Sequence, residues 1–200
     1  MKIIGLCGQS GAGKTTALEV FEKAGGGVID CDALSRRTTE PYSACVKELV
    51  AAFGDDILCA DASLNRRKLA SIVFGNADAC ETLNRITHKY IMAEIEKELE
   101  AFLKSGYSFC VIDAPLLFES GLDKRCDVVL GVLADRETRI KRLEKRDKIS
   151  REEIEKRLIS QISEEELKVR CDKVLYNDGV DEVFEEQIFA FLKEIGETRE

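Results

Sequence analysis

The sequence predicts an α/β fold, a three-layer arrangement in which a parallel sheet is covered by helices on both faces. Continuous apolar runs, typical of strands buried on both faces, alternate along the chain with segments of helical spacing. A glycine-rich turn at Gly8–Gly13 joins the first apolar run, residues 2–7, to the first helical segment, residues 14–24. The triplet Gly25–Gly27 ends that helix and leads into a second apolar run. This order favours parallel strands joined by helical crossovers.

The remaining elements continue the alternation along the chain. Apolar runs predict four further strands, at Val28–Asp30, Phe109–Asp113, 127–133 and Val174–Tyr176. Helical spacing predicts helices from about Asp32 and at 42–53, 66–74, 78–104, 135–146, 151–168 and 180–195. Gly54 and Gly106 follow two of these helices, as is typical of helix ends. The long helical stretch between the second and third strands is therefore an insert in the α/β pattern.

The segment Gly8–Thr15 fits the phosphate-loop pattern G-x-x-x-x-G-K-[ST]. Because it follows a strand and opens a helix, we expect a fold of the P-loop NTPase type. Glycines let successive backbone N–H groups point at an anion, and the helix N-terminus adds its unsatisfied donors. Lys14 would reach the β- and γ-phosphates, and the Thr15 hydroxyl would ligate Mg²⁺. The expected ATP-binding residues of this segment are Gly11, Ala12, Gly13, Lys14, Thr15 and Thr16.

Composition and charge exclude several classes of protein. A net charge of −8 argues against a general nucleic-acid or membrane-surface binder, and the sequence has neither a signal-peptide pattern nor a bilayer-spanning apolar run. With 44% hydrophobic residues the chain can bury a sizeable core. Its eight cysteines include no C-x-x-C pair and accompany one histidine, which is poor zinc spacing. We therefore expect a cytoplasmic protein whose cysteines are reduced thiols.

Two aspartates near the end of the second strand are candidates for the chemistry. Asp30 ends the strand, and Asp32 opens the helical segment that follows. A kinase needs a carboxylate that accepts or orients the proton of the acceptor hydroxyl, whereas an aspartate at this place can also cap the helix. Both roles can hold, one for each residue, and Asp32 could be the cap, the base or both.

Other charged residues allow more than one interpretation. Asp113 ends an apolar strand, where a carboxylate either faces Mg²⁺ or serves the following turn. Arg139, Arg142 and Arg146 recur at spacings of three and four, so they could point together at a triphosphate. Because charge runs are usually solvated, the pattern alone favours an exposed face with i,i+4 ion pairs. His88 is the one histidine of the sequence, and a lone histidine in a helix is more often a packed or surface residue than a catalytic one.

Taken together, these segments resemble the dephospho-coenzyme A kinase family over residues 1 to about 180. The resemblance rests on several motifs in order besides the phosphate loop. They are the D-x-D of Val28–Arg36, Phe53-Gly54 followed by Leu64–Leu69, the L-N-x-x-x-H of Leu83–His88, the P-L-L-x-E of Asp113–Glu119, the lid stretch Arg142–Asp147 with Gln161, and the N-x-G of Asn177–Gly179. The family commonly has proline after the histidine, and Lys89 stands there in this chain, which lets the helix run on.

The resemblance implies transfer of the γ-phosphoryl group of ATP to the ribose 3′-hydroxyl of dephospho-CoA, the last step of coenzyme A synthesis. By that likeness Asp32 is the base, and Lys14 and Arg142 complete the catalytic set. Asp32, Arg36, Arg66 and His88 would line the acceptor. Arg142 and Arg146 would be lid arginines, which reverses the preference for a solvated face. Asn177 would lie near the ATP base, and Thr15 and Asp113 would hold Mg²⁺.

The same likeness sets the expected organisation of the chain. We expect a single P-loop kinase domain over residues 1–200, with its core at about 1–31 and 107–200. A helical CoA-side insert would occupy about 32–106, and the lid about 142–165, within the span of the core.

Two alternative functions remain open on the sequence alone. Another P-loop small-molecule kinase, such as a nucleoside monophosphate kinase, would share the fold and differ in its acceptor pocket. A regulatory module that binds ATP without metabolic turnover would have no need of a carboxylate at Asp32. The sequence contains no N-K-x-D-like guanine reader, which disfavours a GTP switch. Beyond its small-molecule substrate we expect no nucleic-acid or membrane partner.

Overall fold

A five-stranded sheet forms the centre of the fold in the computed structural model, which describes residues 1–196. Its strands are β1 (Lys2–Gly8), β2 (Gly27–Asp30), β3 (Phe109–Asp113), β4 (Val128–Leu133) and β5 (Lys173–Tyr176), in the order β2-β3-β1-β4-β5. β1 pairs in parallel with both β3 and β4, and β4 pairs in parallel with β5. The predicted parallel α/β sheet is confirmed, with β1 and its phosphate loop in the middle.

The helices follow the predicted order with one correction. They are α1 (Lys14–Lys23), α2 (Cys31–Thr38), α3 (Ala44–Phe53), α4 (Arg66–Val73), α5 (Ala77–Lys104), α6 (Arg136–Asp147), α7 (Arg151–Ile159), α8 (Glu164–Arg170) and α9 (Asp181–Glu194). The single helix predicted at 151–168 is wrong, because the chain breaks between α7 and α8. Ser163 accepts a hydrogen bond from the backbone N–H of Glu166 and so caps a new helix.

The described chain divides into two compact units. The first unit comprises Met1–Ile29 and the chain from Phe102 onward, and the second comprises Asp30–Ala101. Each has its own apolar core, with Leu49, Ile57 and Ile86 buried in the second unit. The predicted core region extends to residue 200, and its last four residues lie outside the described part of the chain. No helix within residues 1–196 is long and apolar enough to cross a bilayer.

A cluster of three aromatic side chains fixes the first helix on the sheet. Phe21 of α1 is fully buried and packs edge-on against Phe109 of β3, with ring centroids 6.2 Å apart. On its other side it meets Phe191 of α9 at 6.4 Å, again edge-on. Edge-to-face pairs of this kind add about 0.5–1.5 kcal/mol to the burial of the rings. Both ends of the phosphate loop are therefore anchored in packed structure, at β1 and at α1.

Candidate active site

The phosphate loop spans the turn from the end of β1 at Gly8 to the start of α1 at Lys14. Gly11 has φ +80° and Gly13 has φ +106°, both in the left-handed region that favours glycine. A Cβ atom at Gly13 would lie 2.0 Å from Nδ2 of Asn177, and one at Gly11 would lie 2.9 Å from the carbonyl oxygen of Arg139. Conformation and close packing therefore both require glycine at these positions.

Backbone donors of the loop are left available for an anion. Within the loop, the N–H of Ala12 donates to the Gln9 carbonyl at 3.1 Å. By contrast, the N–H groups of Gly11, Gly13, Lys14 and Thr15 donate to none of the residues that the structure describes. The last two also open α1, whose N-terminus carries a partial positive charge. This arrangement suits the oxygens of a phosphate chain.

Arg142 of α6 holds the carbonyl side of the loop. Its Nη1 donates to the carbonyl oxygens of Gly11 at 3.2 Å and Ala12 at 3.4 Å, and its Nη2 donates to Oδ1 of Asn177 at 2.9 Å. Asn177 follows β5 and is 2% exposed. Arg142 therefore satisfies loop carbonyls and adds positive charge beside the loop.

Arg139, one turn earlier on α6, lies beneath the same loop and is only 6% exposed. Its Nε donates to the Ser10 carbonyl at 3.1 Å, and its Nη1 donates to Oε1 of Gln9 at 2.5 Å. Burial lowers the pKa of this guanidinium from its ordinary value. The solvated face that the residue pattern favoured is therefore wrong for Arg139 and Arg142. Arg146 does lie exposed, paired with Asp147 at 2.6 Å.

Lys14 and Asp113 meet at the carboxyl end of the sheet. The Lys14 Nζ lies 3.6 Å from Oδ1 of Asp113, and about a fifth of each side chain is exposed. In the sheet register Asp113 stands opposite Leu6, two residues before the loop begins at Gly8. The structure thus brings the predicted metal carboxylate to the phosphate-loop lysine, which is followed directly by the exposed Thr15.

The second unit carries the predicted acceptor residues. In its first helix, α2, the two aspartates have different surroundings. Oδ1 of Asp30 accepts a hydrogen bond of 3.0 Å from the N–H of Ala33, so Asp30 is the N-cap of α2. A capping role for Asp32 is therefore wrong. The Asp32 carboxylate is exposed in the first turn and has no hydrogen-bond or ion-pair partner among residues 1–196. Arg36 is exposed four residues later, on the same face of the helix.

Arg66 and His88 lie on two other helices of the second unit. Arg66 opens α4, and its Nη2 donates to Oγ1 of Thr39 at 2.6 Å. His88 is exposed within α5. The helix continues through Lys89, as expected, and the Lys89 ammonium pairs with Glu48 of α3 at 2.7 Å.

Gln9 is a site residue that the sequence reasoning missed. It is 8% exposed, and its Nε2 donates to the Ile162 carbonyl at 2.7 Å while its Oε1 accepts from Arg139. The neighbouring Ser10 is held in the same way, because its N–H donates to Oε1 of Gln161 at 3.0 Å. The break between α7 and α8 thus contacts the phosphate loop directly. A glutamine among the glycines was the only sequence signal.

The chain is similar to known proteins over nearly its whole length. A sequence profile of the dephospho-CoA kinase family matches residues 2–182. The chain is 36% identical to a dephospho-CoA kinase of Listeria monocytogenes, with 96% of each chain covered. It is 39% identical to one of Geobacter sulfurreducens, over 94% of this chain and 95% of that one.

Solved structures show the same fold. A protein from Thermus thermophilus superposes with a TM-score of 0.82 at 32% identity, covering 97% of both chains. A dephospho-CoA kinase from Campylobacter jejuni gives a TM-score of 0.69 at 28% identity, covering 98% of both. A shikimate kinase from Acinetobacter baumannii shares the fold at 15% identity, with a TM-score of 0.53 over 98% of this chain and 95% of that one.

We expect Lys14→Ala to abolish phosphoryl transfer from ATP, since the substitution removes the charge that is expected to reach the phosphates and leaves Asp113 without its lysine. A coupled assay of ADP release measures the effect. Lys23→Ala is the matched control, because Lys23 lies on the same helix with 66% of its side chain exposed and should keep full activity. Retained turnover in Lys14→Ala would contradict the assignment of the phosphate loop.

Proposed function

The chain belongs to the dephospho-CoA kinase family, and we propose that its first unit binds the ATP while its second unit binds the acceptor. The protein is an enzyme that phosphorylates dephospho-CoA with ATP in coenzyme A biosynthesis. The observation that carries this conclusion is the match of the family over residues 2–182, which includes the whole phosphate loop. We assign the ribose 3′-hydroxyl as the group that is phosphorylated.

The loop geometry supports the role of the first unit in binding ATP. Amide donors of the loop and the Lys14 ammonium bind the β- and γ-phosphates, where charge accumulates during transfer. Arg142 adds a guanidinium whose position is fixed by two loop carbonyls, so it stabilises that charge without rearranging. Arg146 joins it from the last turn of α6. Asn177, which follows β5 and accepts a hydrogen bond from Arg142, lies near the ATP base in this proposal.

The residues around Lys14 fit a magnesium ion. Hard cations of this size prefer oxygen ligands, and the Thr15 hydroxyl and the Asp113 carboxylate supply oxygens next to the phosphate-binding lysine. When bound, Mg²⁺ neutralises charge on the phosphate oxygens. Asp113 also holds Lys14 by its ion pair, which keeps the ammonium at the mouth of the loop.

The acceptor role of the second unit depends on Asp32. A carboxylate with no partner among the described residues is available to accept the proton of the ribose hydroxyl. Arg36, Arg66 and His88 provide cationic and donor groups for the diphosphate of dephospho-CoA, and the bond to Thr39 orients Arg66. We place the enzyme in the cytoplasm, and its net charge of −8 disfavours a nucleic-acid partner.

An acceptor panel tests the function. Purified protein with ATP and Mg²⁺ is offered dephospho-CoA, AMP, CMP or shikimate, and ADP formation is followed. We expect ADP only with dephospho-CoA, with the new phosphate on the 3′-oxygen by phosphorus NMR. A rate with AMP or CMP that exceeds the rate with dephospho-CoA would favour a nucleoside monophosphate kinase instead.

We expect Asp32→Asn to lower kcat by about 10²-fold or more, because an amide cannot accept the hydroxyl proton. The ATP affinity should stay unchanged, as measured by calorimetry. Asp30→Asn is the matched control two residues away, since asparagine caps a helix about as well as aspartate and the variant should keep its rate and stability. Equal rates for Asp32→Asn and Asp30→Asn would remove Asp32 from the role of base.

A further inference from the structure

Two cysteine sulfurs are in contact directly behind the phosphate loop. Sγ of Cys7 lies 3.3 Å from Sγ of Cys171, and either thiol can donate to the other. Cys7 is the residue before Gly8, where the loop begins. Cys171 follows α8 and precedes β5, so the pair joins positions 164 residues apart in the sequence. None of the eight cysteines, all within residues 1–196, is in a disulfide in this structure.

A glycine in the intervening strand makes this contact possible. In the sheet, Gly131 of β4 stands opposite Cys7 on one side and Val174 on the other. A Cβ atom at Gly131 would lie 2.9 Å from the sulfur of Cys171, closer than such atoms pack. The two sulfurs are therefore in contact at Gly131, where the strand between them carries no side chain.

We propose that Cys7 and Cys171 form a reversible disulfide under oxidation, and that this bond switches off the kinase by displacing the phosphate loop. The site is a modification site that lies outside the residues assigned to ATP and to the acceptor. It rests on the sulfur contact and on the place of each cysteine in the chain.

The surroundings of the pair favour the reaction at Cys171. Cys171 is partly exposed, whereas Cys7 is 6% exposed, so an oxidant reaches Cys171 first. The hydrogen bond from the Cys7 thiol lowers the pKa of Cys171, against the opposing effects of burial and of the Asp172 charge, and the positive charge of Arg170 also lowers it. By contrast, burial raises the pKa of Cys126 to about 12 and that of Cys110 to about 11. A thiolate is the reactive form of cysteine, so these two react with an oxidant more slowly than Cys171. The hydrogen bond to Cys171, together with burial, raises the pKa of Cys7 as well, so Cys7 acts only in the second step, on a sulfur that is already oxidised and in contact with it.

With hydrogen peroxide as the oxidant, the chemistry takes two steps. The Cys171 thiolate attacks one peroxide oxygen, the O–O bond breaks, and hydroxide leaves and takes up a proton to become water. The sulfur of Cys7 then attacks the resulting sulfenic acid, the S–O bond breaks, and a second water leaves. The two sulfurs lose two electrons in total, and the peroxide gains them. A dithiol reductant reverses the change by thiol–disulfide exchange.

Formation of the Cys7–Cys171 disulfide would displace the phosphate loop, whose position the phosphoryl transfer depends on. A disulfide requires sulfurs about 2.05 Å apart, so the two residues must approach by roughly 1 Å. The backbone at Cys171 is held by the bond from its N–H to the Leu167 carbonyl, and next to it Asp172 is bonded in both directions to Val129. Gly8, where the loop begins, directly follows Cys7 and is paired with Val132 in the sheet, so a shift of Cys7 is passed on to the loop. Misplacement of a binding group by about 1 Å can cost on the order of 10²-fold in rate.

The experiment uses the full chain in a Cys59→Ser/Cys80→Ser background, because these two cysteines are exposed and would react independently. The protein is treated with hydrogen peroxide, remaining thiols are blocked, and tryptic peptides are mapped by mass spectrometry. Dephospho-CoA-dependent ADP release is measured on the same samples before and after dithiothreitol. We expect a peptide of residues 3–14 joined to residues 171–173, a loss of activity of at least about tenfold, and recovery with the reductant.

Two variants distinguish this site from general oxidation. Cys171→Ser should keep its untreated activity and resist peroxide, while Cys126→Ser, the control at another partly buried cysteine, should be inactivated like the parent. Absence of the linked peptide, a linked protein that keeps its activity, or equal inactivation of Cys171→Ser would each overturn the proposal. Because the disulfide is detected by mass, and untreated protein reports the kinase activity, this outcome is separate from that of the acceptor panel.

Discussion

The backbone carbonyl oxygens of the phosphate loop accept hydrogen bonds from two guanidinium groups, and the proposed anion site depends on these bonds. A tight backbone turn carries as many acceptors as donors, and it attracts an anion only when its carbonyls face away from the ligand and are satisfied. Arg139 and Arg142 of α6 bond the carbonyls of Ser10, Gly11 and Ala12. The amide groups of the loop are then left as the side that faces a phosphate chain. Hydrogen bonds to charged donors of this kind are worth about 1.5–3 kcal/mol each.

Other features of the first unit are related to these hydrogen bonds between α6 and the loop. Asn177 is buried at the end of β5 because it accepts from Arg142 and packs against Gly13, which is why that glycine tolerates no side chain. The chain breaks between α7 and α8 where Gln161 and Ile162 bond Ser10 and Gln9. The loop is therefore in contact with α6, with the residue that follows β5 and with this break. The proposed disulfide of Cys7 and Cys171 would act on the same loop, because Cys7 directly precedes Gly8.

Much of the fold was predictable because its signals are local. The glycine pattern, the apolar runs and the helical spacing identified every strand and the phosphate loop within a residue or two. The break before Ser163 also had a local signal, an S-x-x-E capping pattern with Glu166, which the longer helical spacing obscured. The burial of Arg139 had no local sequence signal, because it depends on contact with a loop that is far away in the sequence. The roles of Arg36, Arg66 and His88 rest on the family resemblance, since their surroundings alone name no acceptor.

The affinity of the Arg142→Ala variant for ATP, measured by calorimetry, tests most directly whether the hydrogen bonds of Arg142 hold the phosphate loop in its binding conformation. Lys141→Ala is the control, which removes an exposed cation of the same helix. The account predicts that Arg142→Ala binds ATP about tenfold or more weakly while Lys141→Ala binds like the parent, with both variants folded by circular dichroism. Equal affinities for the two variants would contradict it.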